Sequence, residues 1–189
     1  MDRKAITVRL DRVLRPLGFA RRGTTWNRKA GSVVDVVAVQ ISKTGESFTL
    51  NLGVLDPDAY MVCWGEPPGE RVDETRCTVR IRLTEPSTRT ELWWHGSDDR
   101  TLEAVEIALV GQGLAFLDAH RSVAAMEHFL GSASETRQPY PPPVVYRAAL
   151  KARSGDRKGA CALLHDLQRQ TSDAWRAKVE AALTRLACE

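Results

Sequence analysis

SVVDVVAVQISKTGESFTLNLGVL, residues 32–55, decides the fold. Side chains at i and i+2 of a strand share one face of a sheet. Val37, Val39 and Ile41 share a face in the first half of this stretch, and Phe48, Leu50, Leu52 and Val54 share one in the second. Lys43, Thr44 and Gly45 lie between them, where glycine supplies the positive φ of a tight loop. A hairpin closing symmetrically there sets Val39 opposite Leu50 and Val37 opposite Leu52, with Gln40 facing Thr49 and Ala38 facing Asn51. One face is then apolar, and the other carries Gln40, Thr49 and Asn51. A slip by one residue would invert both faces, so the apolar pattern fixes the register.

Outward from the hairpin, residues 3–15 read as an amphipathic helix, with Ile6, Leu10, Val13, Leu14 and Leu17 at helical spacing and Pro16 and Gly18 ending it. Thr24–Arg28 reads as a first strand. Tyr60–Trp64 fits either a helical turn or a strand. Cys77–Leu83 alternates again, with Val79, Ile81 and Leu83 on one side and Thr78, Arg80 and Arg82 on the other. Ser97, Asp98 and Asp99 start a helix that buries Leu102, Val105 and Leu109 and weakens at Gly111 and Gly113. A second helix, about Arg121–Leu130, ends at a Gly131 cap. Residues 132–143, SASETRQPYPPP, read as a stiff linker, followed by three helices over 144–153, 156–170 and 172–187. The expected fold is α+β: an N-terminal helix, an antiparallel sheet of four to five strands, helices on one face and a C-terminal helical appendage. The expected domains are 1–131, a linker at 132–143 and the appendage at 144–189.

The chain has 189 residues and a net charge of +3, which hides segregation: residues 1–30 carry +7, residues 31–136 carry −9 and residues 137–189 carry +5. A basic first helix and an acidic middle are able to steer partners, although solvated faces are the plainer reading. No apolar run of membrane-spanning length occurs. The N-terminal stretch is charged throughout and is not a secretory signal, so cytoplasmic residence is the expectation. Cys63, Cys77, Cys161 and Cys188 lack the spacing of a zinc or redox pair, and four reduced thiols are expected.

The strings PLGF-ARRG-TTW, VVAVQIS, FTLNLGV and, further on, WW…GQGLAFL resemble a bacterial family described only as domain of unknown function 4304. The resemblance covers about residues 10–130, and it implies a fold without implying an activity. RAALKARSGDRKGACALLHDLQ, residues 147–168, is similar to a single helix-turn-helix unit of the tetratricopeptide type, which implies a helix hairpin of an interaction type; because solenoids need three or more units and one is visible, a lone hairpin docked on its own domain is the plainer reading.

Chemistry is sparse. His95, His120, His128 and His165 have no metal-binding spacing, and Glu103 and Glu106 lack a Glu-x-x-His partner. Gly111-Gln112-Gly113 is no phosphate loop, and no nucleophile elbow occurs. No catalytic, cofactor or metal residue is therefore assigned. Two surfaces are. If the Cys77–Leu83 strand joins the sheet, Arg80 and Arg82 share a polar face with Gln40, Thr49 and Asn51. Arg21, Arg22, Arg28 and Lys29 form a basic patch. In Trp93-Trp94, core packing of both rings is expected. The first reading is a non-enzymatic module that binds another protein. The second is a nucleic-acid binder using the basic N-terminal region, and the third is an enzyme whose site is assembled from distant residues.

Overall fold

The computed structural model describes residues 1–132 and 140–188. Helix α1 (Arg3–Leu14) starts at Asp2, whose carboxylate accepts hydrogen bonds from the backbone of Lys4 and Ala5. A 3₁₀ turn, Arg15–Leu17, and Gly18 at φ 86° end it. The sheet follows: β1 (Ala20–Arg22), β2 (Thr25–Ala30), β3 (Val33–Ile41), β4 (Ser47–Leu55), then β5 (Val79–Arg82) and β6 (Trp94–His95) after α2 (Pro57–Trp64). The order is β1-β2-β3-β4-β5, all antiparallel, with β6 also pairing β4. The β3–β4 register sets Val39 against Leu50, Val37 against Leu52, Gln40 against Thr49 and Ala38 against Asn51, as the alternation requires.

The rest of the chain is helical: α3 (Asp99–Ala108), a π-helical turn (Leu109–Gly113), α4 (Leu114–Ala119), α5 (Val123–Ser132), α6 (Pro141–Arg153), α7 (Arg157–Gln170) and α8 (Asp173–Arg185). Ile6, Leu10 and Leu14 of α1, Leu102, Val105 and Leu109, and Leu117 and Met126 share one buried cluster with Trp26, Val37, Leu50 and Leu52 of the sheet. On the opposite face Val36 and Leu55 pack with Tyr60, Val72 and Cys77, and Ala38, Thr49 and Asn51 are buried further along it.

Several expectations change. The first strand is a hairpin, β1–β2, because Gly23 at φ 61° turns the chain between Arg22 and Thr25. Tyr60–Trp64 is helical: Asp56 caps α2 and Pro57 occupies its first position, where no backbone N–H is needed. Gly111 and Gly113 do not end the third helix. The rod continues through the π turn, and Gly113 lets it close on β4, since a Cβ there would lie 2.8 Å from Leu52 Cδ2. Gly131 sits inside α5, beneath Arg147. Pro141, Pro142 and Pro143 form the first turn of α6 instead of an extended segment, and residues 133–139 of the expected linker lie outside the described residues.

The C-terminal helices join the main core. Val145, Tyr146 and Leu150 of α6, Leu164 of α7 and Val179 and Leu183 of α8 are buried in the same cluster as the sheet. Arg185 of α8 donates to the Val62 carbonyl at 2.8 Å near the end of α2, lying where a side chain at Gly65 would stand. Four reduced thiols are not found either. Cys161 and Cys188 form a disulfide across α7 and the end of α8, while Cys63 and Cys77 are free and buried. Burial pushes the Cys63 thiol up to about 12, against the pull of Lys178, Arg185 and Arg76. No helix among the described residues is long and apolar enough to cross a membrane.

Candidate functional site

The polar sheet face forms as the alternation requires. Asn51 pairs with Arg82 across β4–β5, Gln40 with Thr49 across β3–β4, and Arg80 with Gly53 one step along. These groups mostly satisfy each other. Gln40 Oε1 accepts from Asn51 Nδ2 at 2.8 Å and from Arg82 Nη2 at 2.9 Å, and Arg82 Nε donates to Asn51 Oδ1 at 3.1 Å. Arg82 also pairs with Glu91 and stacks 5.2 Å from the Trp93 ring centre. Hydrogen bonds from Arg82 and Trp93 hold the Glu91 carboxyl below its ordinary value. Arg80 pairs with Glu74 at 3.3 Å. Thr49 Oγ1 is buried with no hydrogen-bond partner among the described residues. The face is thus a closed network at its centre. The two adjacent tryptophans part as strand geometry demands: Trp94 packs on Phe48 at 5.7 Å, and Trp93 lies under Arg82 on the other side. Both are half-buried, so the expected core packing of the pair is not found.

The basic patch divides. Arg21 and Arg28 face the helices and are engaged there. Arg21 binds Asp11 at 3.1 Å, and the same carboxylate accepts from Trp26 Nε1 at 2.8 Å. Burial raises the Asp11 pKa, but the Trp26 hydrogen bond and the charges of Arg21 and Arg15 outweigh it, and the net shift is downward. Arg28 stacks 4.3 Å from the Phe19 ring centre and pairs with Asp35 at 2.7 Å. Asp35 is fully buried on the helix-covered face and also accepts from Arg121 at 2.8 Å. Arg121 in turn reaches Asp118 at 2.6 Å, and the hydrogen bond it donates to Asp35 raises its pKa. Asp35 Oδ1 and Arg121 Nε remain without partners among the described residues. Arg22 and Lys29 point to the opposite side, are exposed, and have no ion pair among the described residues.

Arg22 opens onto a groove of about 520 Å³ between the β1–β2 hairpin and the segment Glu70–Asp73. One wall is tied to the floor by a side chain acting as a strand: Asn27 Nδ2 donates to the Val72 carbonyl at 3.0 Å, and Val72 N–H donates to Asn27 Oδ1 at 2.9 Å. Arg22, Arg71, Glu70 and Asp73 line the groove, and their side chains make no ion pair or hydrogen bond among the described residues. Arg71 and Asp73 also line a second depression of about 260 Å³ behind the segment, with Tyr60, Glu66 and Arg76. Sequence reasoning found Arg22 but missed Arg71, Glu70, Asp73 and Asn27. The segment from 65 to 74 has neither periodicity nor motif, and nothing in its order reveals that Val72 is pinned to β2.

The family described as Domain of unknown function (DUF4304) matches residues 10–112, more than half of the chain. The chain belongs to that family. The DUF4304 span runs from α1 to the π turn and contains the whole sheet, the polar network and the groove; α4 to α8 lie beyond it. No curated protein and no solved structure matches the chain. Among the described residues no group of three or more His, Cys, Asp or Glu side chains is placed to hold a metal ion.

Proposed function

We propose that this DUF4304 protein is a non-enzymatic protein-interaction module whose groove beside the β1–β2 hairpin receives an extended segment of another protein. One observation carries the reading: four charges of both signs in the groove lining, Arg22, Arg71, Glu70 and Asp73, have no partner among the described residues, whereas Arg21, also in the lining, and the nearby Arg28, Arg80 and Arg82 are all paired. Unpaired charge on a preformed wall is surface on which an opposite charge is gained at little cost in reorganisation. The mixture of signs favours a polypeptide over a nucleic acid, because a phosphate backbone approaching Arg22 and Arg71 also meets Glu70 and Asp73. Strand β1 ends the sheet, so its outer edge offers backbone groups to an incoming strand.

The test is a photo-crosslinking residue placed at Thr24, in the groove lining, and activated in cells of the source organism. A protein adduct of defined mass supports the reading. A product that nuclease digests transfers the function to nucleic acid, and no adduct from Thr24 beside an adduct from Lys29 moves the partner off the groove.

A further inference from the structure

The docking of α8 on α2 builds a second site. Trp64, at the end of α2, meets Trp175, in the first turn of α8, with ring centres 6.0 Å and planes 65° apart. Lys178, one turn further along α8, places its Nζ 4.6 Å from the Trp175 ring centre and 5.0 Å from that of Trp64. Tyr140, just before α6, stands edge-on to Trp175 at 6.0 Å and 80°, and is 61% exposed. The inner wall is fixed: Trp64 Nε1 donates to the Tyr146 hydroxyl at 2.7 Å, and that hydroxyl donates to the Arg76 carbonyl at 2.9 Å. Two indole faces at a steep angle around an ammonium are the arrangement by which aromatic cages hold cations.

We propose that Trp64, Trp175 and Tyr140 form a binding site for a methylated ammonium group, closed in the free protein by the chain's own Lys178. The site is separate from the groove and does not depend on the function proposed for it. Lys178 is exposed and has no ion pair among the described residues, so only the two rings hold it in place. A primary ammonium is a compact, strongly hydrated charge. A methylated ammonium spreads its charge over methyl groups, has less hydration to lose, and offers the rings more apolar surface. Exchange suits this corner better than addition. The Arg76 guanidinium already lies 4.4 Å from the Trp64 ring centre, so one ammonium replacing another keeps the local charge constant, whereas an extra cation would meet two others. The tether gives Lys178 a high effective concentration, which holds the site closed against weak cations.

The experiment uses the full chain and its K178M variant, which keeps an unbranched side chain one atom shorter and removes the charge. Indole N–H resonances are followed during titration with tetramethylammonium chloride, with an amide-blocked trimethyl-lysine, with choline, and with blocked unmethylated lysine and sodium chloride as controls. K178M is expected to bind tetramethylammonium saturably and about two- to fivefold more tightly than the wild type, the effect of one displaced exposed cation–π contact. Blocked unmethylated lysine is expected to bind neither protein measurably. Adding W175A to K178M is expected to abolish binding; if that variant fails to fold by circular dichroism, Y140A at the exposed rim is expected to weaken it. Tighter binding of trimethyl-lysine than of choline assigns the ligand to a protein side chain, and the reverse assigns it to a small cation. Absence of saturable binding to K178M, equal affinity of K178M and wild type, or binding that survives loss of the rings overturns the proposal.

Discussion

Asp35→Asn isolates the least replaceable electrostatic contact of the fold. Asp35 is fully buried on the apolar side of β3 and is the shared acceptor of Arg28, at 2.7 Å, and Arg121, at 2.8 Å. Asparagine keeps the shape, so no cavity opens and the change reads charge alone. Removing one member of a buried ion pair costs about 3–5 kcal/mol, because the partner is left uncompensated. Here the Arg28 and Arg121 side chains are 18% and 34% exposed, and Arg121 keeps Asp118 at 2.6 Å. Both therefore regain some solvent, and the expected loss falls to about 2–3 kcal/mol. Urea unfolding followed by tryptophan fluorescence measures it, and at a slope of about 2 kcal/mol/M the midpoint moves down by roughly 1–1.5 M. Arg121→Ala combined with Asp35→Asn is expected to be non-additive by about 1 kcal/mol or more, since the two share a contact. The exposed Asp166→Asn serves as the reference surface change. A loss for Asp35→Asn no larger than that of Asp166→Asn would show that the shared Arg28–Asp35–Arg121 contact adds no net stability.

Glycine substitutions separate close approach from open space. Gly53→Ala would put a Cβ 2.5 Å from Cys77 Cβ and is expected to cost about 1–3 kcal/mol, whereas Gly111→Ala meets nothing within 4 Å and is expected to stabilise by about 0.5–1 kcal/mol, both by thermal or urea unfolding. Reduction of Cys161–Cys188, which closes a loop 27 residues apart in sequence, is expected to remove about 3–4 kcal/mol; thiol titration of the unreduced, denatured chain returns two thiols if the bond is present and four if it is not. In the native chain Cys63, its thiol raised to about 12, is expected to react with alkylating reagents only on unfolding, as mass spectrometry would show. The Asp11 carboxyl titrates below its ordinary 3.8 when folded, so its contribution is complete above that pH and is lost as pH falls through the lowered folded value; Asp11→Asn is expected to flatten the drop in melting temperature between pH 5 and pH 3.

The sheet was legible wherever burial alternates. Residues 32–55 set their own register because a slip would expose Leu50 and Leu52, and the same logic placed Arg80 and Arg82 beside Gln40, Thr49 and Asn51. Strand β1 was not legible, because Ala20, Arg21 and Arg22 are all exposed and carry no alternation. Gly113 looked like the end of a helix and is a point of contact, a distinction that depends on Leu52 lying beneath it. The prolines at 141–143 looked extended, although a first helical turn tolerates residues without an N–H. Cys161 and Cys188 are too far apart in sequence for spacing to pair them, and only the packing of α8 against α7 brings them together. The basic patch was legible as composition and misleading as a surface. Arg28 meets its acid directly across β2–β3 and Arg21 meets one on α1, while the charges left open include Arg71, Glu70 and Asp73, in a segment without pattern.

Whether the groove beside the β1–β2 hairpin receives another protein through its unpaired charges is measured most directly by quantitative affinity capture from nuclease-treated lysate with three baits: the wild type, R22E/R71E and K29E. A discrete protein is expected with the wild type and K29E and is expected to be lost with R22E/R71E. Equal recovery of that protein by all three baits, or capture that nuclease abolishes for the wild type, would rule out the groove as its binding site.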